Sequence, residues 1–146
     1  MRGKSTVVAA GVLALLVVLA GAAQATSGRT AWTIGISSNR EGKDVEIYGM
    51  SAAGRNVRAL THSPSFDGFP HWSPDGRKIL FYSQRSPKGD VWVMNADGTA
   101  QRNLTRNTAH DGPGSWSPDG RRIAFDTNRE RNSGVYVMNA DGSGQR

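Results

Sequence analysis

Asp67 and Asp111 stand 44 residues apart, each five positions before a tryptophan, Trp72 and Trp116. Arg40, Arg85 and Arg129 each follow, by two positions, a hydroxyl residue: Ser38, Ser83 and Thr127. A carboxylate at such a position could accept backbone N–H bonds and fix a chain connection. It could equally pair with a guanidinium, whose fork matches it. A ring of such acids could also line a channel mouth and bind cations or ligands. A position that recurs from unit to unit is first a requirement of the unit. The expectation is therefore structural, with an Arg of this set pairing with an Asp of its own or the next unit.

Other chemistry finds little support in the residues. There is no cysteine, which removes thiolate zinc sites, disulfides and cysteine nucleophiles. A nucleophile elbow needs Gly-x-Ser-x-Gly on a strand-to-helix turn. Gly112-Pro113-Gly114-Ser115-Trp116 has the wrong spacing and precedes a strand. No Walker loop, HExxH or dinucleotide fingerprint occurs. His62, His71 and His110 do not recur at equivalent positions and lack metal-ligand spacing, so they read as ordinary loop residues. Asn95-x-Asp97-Gly98 and Asn139-x-Asp141-Gly142 resemble part of a calcium loop but lack its first acid and distal Glu. Hairpin turn chemistry accounts for both. No catalytic residue, cofactor site or metal site is expected.

The elements that must position Asp67 and Arg85 come from a repeat. Trp72-Ser73-Pro74-Asp75-Gly76-Arg77 returns as Trp116-Ser117-Pro118-Asp119-Gly120-Arg121, and Val93 to Gly98 returns as Val137 to Gly142. In the middle unit, strands are expected over Pro70–Ser73, Lys78–Ser83, Asp90–Asn95 and Gln101–Thr105. Ile79 and Phe81 share one face of the second strand while Leu80 and Tyr82 share the other, which suits a strand packed on both sides. A period of 44 with four short strands per unit is a β-propeller signature. The fold class is all-β: a partial propeller of about two and a half four-stranded blades. Its limits are a degenerate blade over 33–61, a full blade over 68–105 and a truncated blade over 112–146. Fewer than three complete blades leave sheet faces open, which a longer chain or association of copies into a homo-oligomer would cover.

Ahead of these blades, Arg2 and Lys4 precede the uncharged run Val7 to Ala23 and the exit Ala23-Gln24-Ala25. Residues 1–25 read as a secretory signal peptide and 26–32 as a short linker. The alternative is an uncleaved anchor, the only reading that places the chain on a membrane. Cleavage lowers the formal net charge from +6 to +4. No run of five basic residues appears, so nucleic acid is not expected as a partner.

The motif Pro70 to Phe81, followed by Ser83-x-Arg85 and by Trp92 to Gly98, resembles the WD40-like PD40 repeat of TolB-type propellers. In the last unit it runs over Trp116 to Phe125 and Tyr136 to Gly142, with Gly114 where Pro70 stands. The resemblance covers about residues 33–146. It implies a periplasmic or extracellular propeller, and in the TolB family six blades after an α/β domain, binding envelope proteins such as the peptidoglycan-associated lipoprotein. Ala25 to Trp32 has no room for that domain. The same repeat forms the propeller of prolyl-oligopeptidase-type peptidases, beside a separate hydrolase domain. The expected function is a secreted or cell-envelope interaction scaffold without catalysis, whose partner is another protein or an envelope ligand. The alternatives are a substrate-gating propeller remnant of an envelope hydrolase and a truncated fragment without function.

Overall fold

The structure, a computed structural model, describes residues 18–19, 34–40, 44–130 and 132–146. The proposed signal peptide and linker lie outside these residues, except for a two-residue strand. That strand, β1 (Val18–Leu19), pairs antiparallel with β2 (Ile34–Ser38). β3 (Glu46–Met50) and β4 (Arg58–Ala59) complete the first sheet, in the order β1-β2-β3-β4. The second sheet is β5 (Asp67–Trp72), β6 (Lys78–Ser83), β7 (Asp90–Asn95) and β8 (Arg102–Asn103), again in chain order. The third holds β9 (Asp111–Trp116), β10 (Arg122–Glu130) and β11 (Asn132–Asn139). No helix occurs among the described residues, and the three sheets form part of a propeller rather than a closed ring.

Each sheet is a meander because its turns are written locally. Ser73 Oγ donates to Asp75 Oδ1 at 2.6 Å, and that oxygen also takes the Arg77 N–H at 3.0 Å. Gly76 closes the turn at φ 67°, a conformation that a Cβ disfavours. Ser117, Asp119, Arg121 and Gly120 repeat the arrangement one unit later.

The two faces of β6 are both buried. Ile79 and Phe81 pack with Ile47, Leu60, Trp72 and Met94 between the first two sheets. Leu80 packs with Val91, Leu104, Ile123, Phe125 and Met138 between the second and third. Such alternation lets one strand cement two junctions, and at about 25 cal/mol per Å² of apolar surface this burial is the main source of cohesion. β5 packs against β2 and β3 of the first sheet, and β9 against β5, β6 and β7 of the second, so consecutive sheets stack face to face.

Several boundaries differ from the sequence reading. β5 begins at Asp67 rather than Pro70, because the Asp67 N–H donates to Val45 O and Asp67 pairs with Ser83. A register shift between Gly68 and His71 lets the strand pass Pro70. His71 lies within this strand, as the expected strand over Pro70–Ser73 has it, and not in a loop. β8 is only two residues long, since Thr105 turns its hydroxyl toward β7 instead of extending the ladder. In the third sheet, β10 runs to Glu130 and β11 begins at Asn132, so these two strands are longer than their counterparts β6 and β7.

Candidate functional site

Asp67 and Asp111 occupy the first position of β5 and β9, not a loop before them, and both side chains are wholly buried. The end of each sheet's second strand brings an arginine to meet them. Ser83 Oγ and Thr127 Oγ1 accept the backbone N–H of Arg85 and Arg129 at 3.2 and 3.4 Å, which turns the chain so that each guanidinium folds back over its own sheet. Arg85 Nη2 lies 2.5 Å from Asp67 Oδ2. Arg129 takes both oxygens of Asp111, Nη2 to Oδ2 at 2.8 Å and Nε to Oδ1 at 3.2 Å. Each pairing joins residues 18 apart in one sheet.

Aromatic rings complete these clasps. The Arg85 guanidinium sits over Trp92 at 4.9 Å and Phe81 at 5.8 Å; Arg129 sits over Phe125 and Tyr136, each at 5.4 Å. Arg40 keeps the aromatic half of the pattern, lying 5.5 Å from the Tyr48 ring. The structure does not bring Arg40 to Asp67 or Asp111. Its carboxylate position, 44 or 45 residues before Asp67, is alanine in the sequence.

The two complete clasps differ in one donor. Asn107 Nδ2 also bonds Asp111 Oδ2, whereas the residue 44 positions earlier is Ser63, whose hydroxyl turns to Ser65 O. Asp67 Oδ1 is left buried without a partner, as are Arg85 Nε and Ser86 Oγ beside it. For Asp111, burial favours the neutral acid. Bonds from Arg129, Thr127, Asn107 and Thr105 outweigh that, holding the carboxyl below its ordinary range. Both oxygens of this carboxylate are thus engaged by donors within the third sheet and the loop before it.

A second set of repeated contacts escaped the sequence reading. Thr105 Oγ1 donates to Asp90 Oδ1 at 3.0 Å, and Asn103 Nδ2 to Asp90 Oδ2 at 2.7 Å. One unit earlier, Thr61 Oγ1 donates to Glu46 Oε2 at 2.5 Å. The 44-residue spacings of Glu46 and Asp90, and of Thr61 and Thr105, carried this signal.

Beside Asp67 the surface is aromatic. Phe66, Phe69 and Tyr82 form a triangle with centroids 5.9–6.2 Å apart, and His110 packs on Tyr82 at 5.7 Å. Phe69 is 44% exposed and holds a left-handed backbone, φ 56°. Among the described residues, no group of three or more His, Asp or Glu side chains is placed to hold a metal. His62 and His110 lie outside the strands.

Antiparallel meanders stacked face to face, one to each 44-residue repeat, define the class: a β-propeller, here in part. The repeats are of the TolB type. The chain is 50% identical over 42 residues to the Tol-Pal system protein TolB of Bordetella pertussis, a match spanning 28% of this chain and 10% of that protein. A solved TolB structure from Agrobacterium tumefaciens superimposes with a TM-score of 0.70 at 28% identity, covering 77% of this chain and 40% of that one. A stretch of 48 residues is 44% identical to the uncharacterized peptidase YuxL of Bacillus subtilis, covering 33% of this chain and 7% of that protein. No family model matches the chain. The chain thus corresponds to well under half the length of each of these relatives.

Proposed function

We propose that this chain is a protein-interaction scaffold of the cell envelope or the exterior, with no catalysis of its own, whose TolB-type blades present a recognition face. The observation that carries this reading is Phe69. A large ring is exposed at the inner edge of the second blade on a backbone that L residues rarely adopt, within an aromatic group. Strain of that kind, of order 1–3 kcal/mol, persists where the surroundings enforce it, and it clusters at binding surfaces. The ionic groups next to it are spent on holding the blades, which leaves rings and loop polar groups for a partner. A protein partner and the envelope location are also what similarity to TolB supports.

The experiment is site-specific photo-crosslinking in cells from position 69, with the exposed Gly54 turn as control position. A single envelope protein crosslinked from 69 and not from 54 supports the proposal. Equal crosslinking from both positions, or none from 69, overturns it. Similarity to the YuxL peptidase favours the alternative of a substrate-gating blade set from a hydrolase. That reading predicts crosslinking of position 69 to a serine hydrolase, recognised by a fluorophosphonate label on the partner.

A further inference from the structure

A cleft of about 630 Å³ opens between the second and third blades at the end of the strands opposite Asp67 and Asp111. Its apolar lining comes from Pro74, Val93, Ala100, Trp116 and Ala140. The Trp116 indole N–H is already committed to His71 O at 3.1 Å, so the ring offers the cleft an apolar surface. Pro74 lies against Gly120, where an added Cβ would meet Pro74 Cδ at 3.5 Å.

The cleft is also charged, with both signs present. Lys78 and Arg102 line it. Lys78 spends one bond on Asn95 Oδ1 at 2.7 Å, and Arg102 spends Nη1 on Asp141 O at 2.8 Å. An ammonium has three donors and a guanidinium five, so both keep donors for a ligand. Asp75 and Asp119 line it as well. Each uses Oδ1 for its own turn, Asp75 with Ser73 and Arg77, Asp119 with Ser117 and Arg121, and leaves Oδ2 outside those bonds. The turn bonds hold both acids below the ordinary carboxylate range, so they are ionised at neutral pH.

Two cations balanced by two carboxylates around an apolar floor disfavour a dianion such as phosphate, which the acids repel. They disfavour a purely apolar guest, which would strand the charges. The volume falls within the range that holds a drug-sized ligand or a few residues of peptide. The preceding junction lacks this character, since Ile34 stands where Lys78 does, Gly49 where Val93 does and Asn56 where Ala100 does.

The geometry points to a peptide-binding site in this cleft, taking a short segment that carries an apolar side chain between an acidic and a basic residue. The apolar side chain lies on Trp116 and Val93, the acid meets Lys78 and Arg102, and the base meets Asp75 and Asp119. This site stands apart from the aromatic face around Phe69, so either can fail without the other.

The test titrates the full chain with acetyl-aspartyl-leucyl-lysine amide and follows the Trp116 indole resonance in proton–nitrogen NMR spectra, assigned with Trp116→Phe. A saturable shift is expected, with affinity falling by about fivefold in Lys78→Gln or Arg102→Gln, as exposed charge contacts allow. The neutral acetyl-asparaginyl-leucyl-glutamine amide is expected to bind about tenfold more weakly or worse. Lys78→Arg, which keeps the charge, is expected to bind as the parent does and guards against a folding artefact. Equal affinity for the neutral peptide, unchanged affinity in both glutamine variants, or a shift with inorganic phosphate and not with the peptide would each overturn the assignment. So would the absence of any saturable shift.

Discussion

The side-chain amide of Gln145 donates to the Leu104 carbonyl at 2.9 Å, reaching back 41 positions into the preceding blade, and to Gly142 O at 2.8 Å. Gln101 does the same one unit earlier, with Leu60 O at 3.1 Å and Gly98 O at 3.0 Å. Leu60 and Leu104 are themselves buried in the two inter-blade cores. One amide therefore fastens the outer end of each junction, where the fourth strand is too short to do so.

Replacing Gln101 with Val, the residue found 44 positions earlier, removes both bonds. Each is worth about 0.5–1.5 kcal/mol net, so a loss of about 1–3 kcal/mol is expected in urea unfolding. An unchanged unfolding midpoint would show that water serves Leu60 O equally well.

Asp111 and Arg129 are expected to be energetically coupled. Arg129→Met leaves a buried carboxylate with fewer donors and is expected to cost about 3 kcal/mol or more. Asp111→Ala with Arg129→Met should cost clearly less than the two single changes added, with an interaction of at least about 1 kcal/mol. Strict additivity would dissolve the clasp as a unit. The same cycle on Asp67 and Arg85 is expected to give a smaller coupling, because one Asp67 oxygen has no donor and the pair shares a single bond.

Stability should fall in acid through Asp111. Its folded carboxyl titrates below the unfolded value of about 3.9, so between the two the unfolded chain binds more protons. The contribution is complete above the unfolded value and is lost as pH falls through the folded one. Measured between pH 7 and 2.5, the difference in unfolding free energy between the parent and Asp111→Asn should be flat above about pH 5 and shrink below about pH 4. A difference constant down to pH 2.5 would mean that the carboxyl titrates as it does in the unfolded chain.

Legibility in the sequence followed locality. The Ser73 to Lys78 turn is written in consecutive residues, and β6 and β7 announce themselves by apolar residues on both faces. The start of β5 does not, because Asp67-Gly68-Phe69-Pro70 has no alternation and its pairing depends on Val45, far away in sequence. The arginine and aspartate positions were visible as a recurrence, yet the recurrence alone left open which arginine meets which acid. The pairing of Asp90 with Thr105 is not legible, although its spacing is as regular, because Thr105 reads as the end of the fourth strand and nothing local turns its hydroxyl toward Asp90. The aromatic face and the cleft belong to junctions between blades, where residues that break the repeat (Tyr82 against Asp126, Lys78 against Ile34) set the chemistry.

Two turn glycines separate backbone conformation from close approach. Gly54 has φ 69° and open space where a Cβ would go, while Gly98 has φ 87° and its Cβ would sit 2.6 Å from Leu60 O. Gly54→Ala incurs the left-handed penalty alone, about 1 kcal/mol. Gly98→Ala incurs that and must also push a backbone carbonyl that already accepts from Gln101, in a core strand end that has little freedom to move. It is expected to lower stability by clearly more than Gly54→Ala, about 2–4 kcal/mol in urea unfolding, with the loss passing through the junction between the first two blades. Hydrogen exchange gives the localisation: in Gly98→Ala the amides of Leu60 and Asn95 should lose protection, whereas in Gly54→Ala they should not. Equal costs for the two substitutions would mean that the Leu60 carbonyl yields freely, and that the turn of the second blade does not lock onto the first.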